Sequence, residues 1–92
     1  MKPLFVPLKK NWFTDFKNGT KNLEFRGYGP RWNEQVCKIG REVTLRLGYS
    51  GEVLKGRVVS FEKIPLDSSP IEAQQLYNGR FEYIAAIGVK LD

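Results

Sequence analysis

Apolar and polar residues alternate along this chain with two different periods, and each change of period marks an element. Leu4 to Val6 alternates briefly between Pro3 and Pro7 and reads as a short strand, since proline suits a strand's first residue or an edge. Trp12, Phe13 and Phe16 follow at i, i+1 and i+4, a helical spacing that puts them on one face with Thr14, Asp15 and Lys17 opposite. Trp12 reads as a core anchor. Asn11 is the expected N-cap and Asn18-Gly19 the expected end, because glycine takes the left-handed position past a helix without steric cost. From Leu23 to Arg26 the period returns to two. Leu23 and Phe25 are expected on the core face, Glu24 and Arg26 on a face turned to solvent or a cleft.

Asn33 to Gly40 has no period and reads as irregular loop. Glu42 to Leu47 alternates with Val43, Leu45 and Leu47 inward, and Gly48 to Gly51 is a hairpin turn. Val53 to Phe61 is the return strand, with Gly56 a bulge or a close-approach point. The apolar pair Val58-Val59 predicts burial on both faces there, while Lys55 and Arg57 read as a solvated face. Ser69-Pro70-Ile71-Glu72 is a helix start: serine as cap, proline at the first helical position, glutamate completing a capping box. Ala73, Leu76 and Tyr77 form its apolar stripe, and Asn78-Gly79 ends it. Phe81 to Leu91 is apolar on both faces, the mark of a central strand. About five strands and two short helices result, in one domain spanning residues 1–92. The expected class is α+β, mostly β: a small antiparallel or mixed β-barrel plugged or flanked by its helices.

Charge and composition narrow the function. Lys plus Arg number 15 against 10 for Asp plus Glu, a net +5 that favours a polyanionic partner. With one cysteine and no histidine, an intramolecular disulfide, a Cys/His zinc site and a histidine general base are all ruled out. Cys37 reads as a small buried hydrophobe, and neither a metal nor a cofactor is expected. No apolar run approaches the roughly 20 residues of a membrane span. Met1 to Lys10 lacks the apolar stretch of a signal peptide, so the expectation is a cytoplasmic protein with no membrane partner.

The densest chemistry lies in Gly19 to Trp32, G-T-K-N-L-E-F-R-G-Y-G-P-R-W, where cations and aromatics stand beside glycines and Pro30. Lys21 can reach the side of the strand that carries Glu24 and Arg26. Tyr28, Arg31 and Trp32 follow in a glycine-punctuated loop, and arginine with aromatic groups stacks on bases and pairs with phosphates. Two blander readings stand beside these. Lys21, Glu24 and Arg26 would be a surface ion-pair cluster, and Trp32 would fold back onto the core.

Gly19, Lys21, Glu24 and Arg26 together spell G-x-K-x-x-E-x-R. This resembles the signature of ASCH domains, a family of PUA-like β-barrels in which the motif follows the first helix and enters a strand. The strands near Gly40–Leu47 and Val53–Phe61 and the apolar closing strand extend the resemblance over nearly the whole chain, and small stand-alone members are similar to many bacterial and phage proteins. The resemblance implies a cleft beside the helix, lined by Lys21, Glu24 and Arg26, that takes RNA or a nucleotide-like ligand. Lys21 and Arg26 would hold phosphate or a base carbonyl, and Glu24 would accept from an exocyclic amine or orient Lys21. Tyr28, Arg31 and Trp32 are added as ligand contacts on physical grounds alone.

Some small members are amidohydrolases acting on N4-acetylcytidine. They use a lysine matching Lys21 and a threonine nucleophile where this chain has Glu24. A hydrolase here would need Glu24 as general base toward water and Lys21 to polarise the carbonyl. Those enzymes also use a glutamate from a later helix, in the region of Glu72. Other members look like ribonucleases. The leading expectation is therefore an RNA- or nucleotide-binding module. A hydrolase with Lys21 and Glu24 as catalytic residues is the alternative, and a protein-interaction accessory that docks through Tyr28–Trp32 is a further one.

Overall fold

The alternating segments pair into one mixed sheet of five strands. The computed structural model describes residues 1–92. Its elements are β1 (Leu4–Leu8), α1 (Lys10–Lys17), β2 (Leu23–Gly27), β3 (Glu42–Leu47), β4 (Val53–Pro65), a single 3-10 turn (Leu66–Ser68), α2 (Ile71–Tyr77) and β5 (Tyr83–Leu91). The strand order is β1-β3-β4-β5-β2. β1 runs parallel to β3, with Leu4 opposite Val43, and every other pairing is antiparallel. The sheet curls into a half-barrel, so the fold is the mixed form of the expected class. Its two edges are β1 and β2.

The core fills the concave side. Val43 and Leu45 from β3, Val58 from β4, and Ile87 and Val89 from β5 meet Phe13 and Phe16 of α1, each at most 3% exposed. Burial of each such side chain contributes on the order of 1.5–3 kcal/mol. Cys37 is buried among them, and that burial pushes its thiol above the usual range. β5 lies between β4 and β2, and its run from Ile84 to Val89 is buried throughout, as its two apolar faces predict. No helix is long and apolar enough to cross a membrane.

Four local expectations are corrected. α1 is capped by Lys9 in extended conformation rather than by Asn11, with no side-chain cap. β4 continues past Phe61 to Pro65, because β5 supplies partners as far as Tyr83. The register shifts between Val58 and Ser60, and this bulge turns Val59 outward to 52% exposure while Val58 stays in the core at 1%. An extra residue in one strand breaks the alternation, so an apolar pair does not require two buried faces. The capping box does not form: the Ser69 hydroxyl donates to the Leu66 carbonyl and closes the 3-10 turn, and α2 begins after Pro70 without a side-chain cap. Glu72 is thereby left without a capping role.

Candidate functional site

β2 owes its role to its place at the sheet edge. Arg26 Nη2 donates to the Pro7 carbonyl of β1 at 2.7 Å, so one guanidinium spans the gap between the two edge strands. The same guanidinium grips Glu24 Oε2 through Nε at 2.8 Å and Nη2 at 2.7 Å. The Glu24 side chain is only 10% exposed and that of Arg26 18%. The expected core face of β2 is thus corrected, while Glu24 and Arg26 face a cleft, one of the two sides expected for them. Glu24 is the buried residue, Leu23 is 38% exposed, and Phe25 is half-buried. The polar face turns inward because its charges satisfy one another at the seam, where an apolar pair would leave the gap unbridged.

Lys21 stands over three rings. Its ammonium lies 5.1 Å from the Trp12 ring centre, 5.4 Å from Phe25 and 5.7 Å from Phe16. Ring quadrupoles attract a cation at such distances. Nζ is 3.9 Å from Glu24 Oε1, an ion pair but too long for a hydrogen bond. The three donors of Lys21 and the Oε1 acceptor of Glu24 therefore have no hydrogen-bond partner within the protein.

These groups form one wall of a cleft of about 230 Å³. Pro7 and Leu8 close it from β1, Lys9 and Trp12 from the start of α1, and Glu72, Ala73, Leu76 and Tyr77 from α2. Its volume falls below the roughly 300–1,000 Å³ of sites for drug-sized molecules, so it takes only a small group. The Tyr77 hydroxyl donates to the Phe25 carbonyl at 3.2 Å and its ring meets Phe81 edge-on, which pins α2 against β2.

Burial, then the Glu24 carboxylate, raise the Tyr77 pKa above its ordinary 10, against the opposing pull of Arg26 and Arg80. Tyr28 and Cys37 are raised as well. A group whose folded pKa is raised favours the fold below its unfolded value and loses that contribution as pH climbs through the folded one. Stability to urea should therefore fall from about pH 9 upward. Tyr77→Phe should lose some stability at neutral pH and show a shallower alkaline fall. An equally steep fall in the variant would remove Tyr77 as a cause.

Of the residues singled out in the sequence, the fold brings Lys21, Glu24 and Arg26 together at the cleft. It places Tyr28, Arg31 and Trp32 elsewhere. The Tyr28 hydroxyl donates to the Glu34 carboxylate at 2.6 Å and its ring packs near Phe61 and Lys63. That hydrogen bond is the leading cause of the raised Tyr28 and lowered Glu34 pKa values. Gly29 and Trp32 exchange backbone hydrogen bonds at 3.1 Å, and the tight turn between them leaves Arg31 exposed at its tip. Trp32 folds back on the core with the Arg26 guanidinium 4.9 Å above its ring. It supports the cleft's arginine from behind and does not line the cleft.

Trp12 and Tyr77 are the cleft residues that the sequence signals misplaced, and Glu72 is one to which the family resemblance pointed while its spacing read as a capping box. Trp12 sits at the margin of the α1 stripe, the one positional hint that it would be shared between core and cleft. The α2 stripe carried no such hint, since an apolar helix face looks the same whether it covers a core or a cleft.

No family model matches the sequence, and no curated protein matches it. Solved structures match in fold, two of them from one organism. One is the crystal structure of ASCH from Zymomonas mobilis, with a TM-score of 0.72 at 12% identity over 94% of this chain. The other is a serine-to-alanine mutant of the ASCH protein from the same organism, with a TM-score of 0.70 at 12% identity over 94% of this chain. This chain spans 65% and 66% of their lengths. Its fold is that of an ASCH domain.

Proposed function

We propose that this chain is an ASCH-type module that binds RNA or a nucleotide-like ligand in the cleft between β1, β2 and α2. The observation that carries the reading is Lys21: a mostly buried ammonium, close to three aromatic rings, that lines the cleft and has no hydrogen-bond partner in the protein. A base carbonyl or a phosphate oxygen would fill its donors. Glu24 Oε1 would accept from an exocyclic amine. Trp12, which lines the cleft, would offer a base a ring to stack on. Arg26 is already committed to Glu24 and Pro7, so in this reading it holds the acceptor in place instead of gripping the ligand. The net charge of +5 supports a polyanionic partner.

Titration of short single-stranded RNA and of nucleoside monophosphates, followed by Trp12 fluorescence with Trp32→Phe as background, tests the reading. A hydrogen bond to a charged group contributes about 1.5–3 kcal/mol. Lys21→Ala should therefore weaken binding about 10-fold or more. Affinity should also fall as salt rises. Binding indifferent both to salt and to Lys21→Ala would sink the proposal.

One observation favours hydrolysis as a second reading. Glu72, free of its expected capping role, lines the same cleft opposite Lys21 and Glu24. Glu24 is committed to Arg26 through Oε2, so Glu72 is the carboxylate left to act as general base toward water, with Lys21 polarising an acyl carbonyl. Turnover of an N-acylated cytidine that is lost in Glu72→Gln, with the melting temperature unchanged, would support it. The absence of turnover in the parent chain would exclude it.

A further inference from the structure

Lys21 also lines a second groove. This one encloses about 540 Å³ and runs from Phe16 and Gly19 at the end of α1 past Asn22 and Leu23 to the Val59–Ser60 bulge and the end of β5. Its floor is Gly88, paired with Leu23 on one side and Ser60 on the other. A Cβ at position 88 would stand against the Ser60 side chain, and glycine keeps the floor low there. Leu23 and Val59 flank it, 38% and 52% exposed. The β4 bulge that upset the expected burial of Val59 is what raises that flank.

Lys90 closes the far end, and its cross-strand partner on β4 is Arg57. Lys55 lies two residues along the same face, exposed like them. Like charges directly opposite on paired strands repel. Two carboxylates lie near. Glu42 is 3.6 Å from Arg57, and Asp92 adjoins Lys55 through its backbone N–H. Neither forms an ion pair with Lys55 or Lys90. The free protein thus holds a row of cations with too few anions, beginning at the wall of the cleft.

Building on the cleft reading above, we infer that the ligand is a segment of single-stranded RNA, with one base in the cleft and the adjoining phosphates running past Lys21 into the Gly88-floored groove to Lys90 and Arg57. A phosphate between Lys90 and Arg57 turns their repulsion into attraction. The groove has no aromatic platform at its outer end, so it tracks backbone without reading bases there. Leu23 and Val59 give the riboses an apolar surface.

The test compares a labelled oligouridylate with uridine monophosphate on the parent chain and on Lys90→Glu. The substitution places an acid opposite Arg57, a favourable cross-strand pair, so the melting temperature should be at or above that of the parent. Loss of binding is then not loss of fold. Oligouridylate affinity should fall about 10-fold at low salt, and the slope of log affinity against log salt should shrink by about 0.7, the value of one single-strand phosphate contact. Affinity for the monophosphate should stay within about twofold, since Lys90 lies outside the cleft. Equal losses for the two ligands, or unchanged oligouridylate binding, would overturn the inference. So would displacement of the oligouridylate by polyglutamate at the same concentration as by unlabelled RNA, which would mark a site for acidic peptides. Oligouridylate binding sensitive to Lys90→Glu with no monophosphate binding would keep the groove and reject the cleft. Failure of the parent to bind either ligand would reject both.

Discussion

Glu24→Ala should lower the stability of this domain by about 3–5 kcal/mol, a fall in melting temperature of roughly 12–30 °C for a chain of this size. The carboxylate is 10% exposed and sits between two cations that are themselves mostly buried. Its removal leaves Arg26 without its two short contacts to Oε2 and Lys21 without its only carboxylate. An ion pair taken out of water adds little net stability when intact, because desolvation offsets attraction, yet removing one partner strands the other charge. The damage spreads because Arg26 is also the bridge to Pro7 between the sheet's edges. Glu24→Gln keeps an acceptor of the same shape and should lose about half as much. Thermal denaturation followed by circular dichroism measures both. A loss below about 1 kcal/mol in the alanine variant, the range of exposed pairs, would show that cleft water solvates the cations and that the seam stands without the ion pair.

Gly56→Ala should cost about 3 kcal/mol, the upper end of what overpacking usually costs. An added Cβ would collide with the Lys90 carbonyl oxygen and stand 3.0 Å from Leu91 Cα. Both are backbone atoms of the neighbouring strand, held by the pairing of Gly56 with Leu91, so no rotamer change relieves the clash. Gly79→Ala is the contrasting case. Gly79 has a φ of 78° and open space around its Cβ position, so its substitution meets only backbone strain. That strain is about 1 kcal/mol. Urea titrations of both variants should show Gly56→Ala the more damaging by a clear margin. The reverse order would mean that the β4–β5 ladder opens at its end to accept a methyl group.

The readable parts of the sequence were those where one local rule operates unopposed. Glu42 to Leu47 alternates cleanly and forms a strand with those bounds, because one face is core and the other solvent. Phe81 to Leu91 is apolar on both sides and its paired portion lies inside the sheet, between β4 and β2. The period of two was enough to place Glu24 and Arg26 side by side, and Lys21, which precedes the strand, joins them through the reach of its long side chain. Their burial was not readable, because hydropathy assigns charged residues to solvent and takes no account of the partners that make burial tolerable. Ser69 and Glu72 show the same limit. Their spacing fits a capping box, but the Leu66 carbonyl competes for the hydroxyl and wins.

From the sequence alone came the number and kind of elements, the mixed or antiparallel barrel class, the exclusion of histidine and disulfide chemistry, and three residues of the cleft. Each depends on residue type and on spacing within a few positions, where covalent geometry decides. The tertiary structure alone decided that Trp12 and α2 wall the cleft, that Tyr28 and Arg31 stand away from it, that Trp32 backs Arg26, and that a Gly88-floored groove meets the cleft at Lys21. Each of those depends on which strands end up as edges. Strand order is set by long-range pairing, between Leu4 and Val43 or between Leu23 and Gly88, and no local period encodes it.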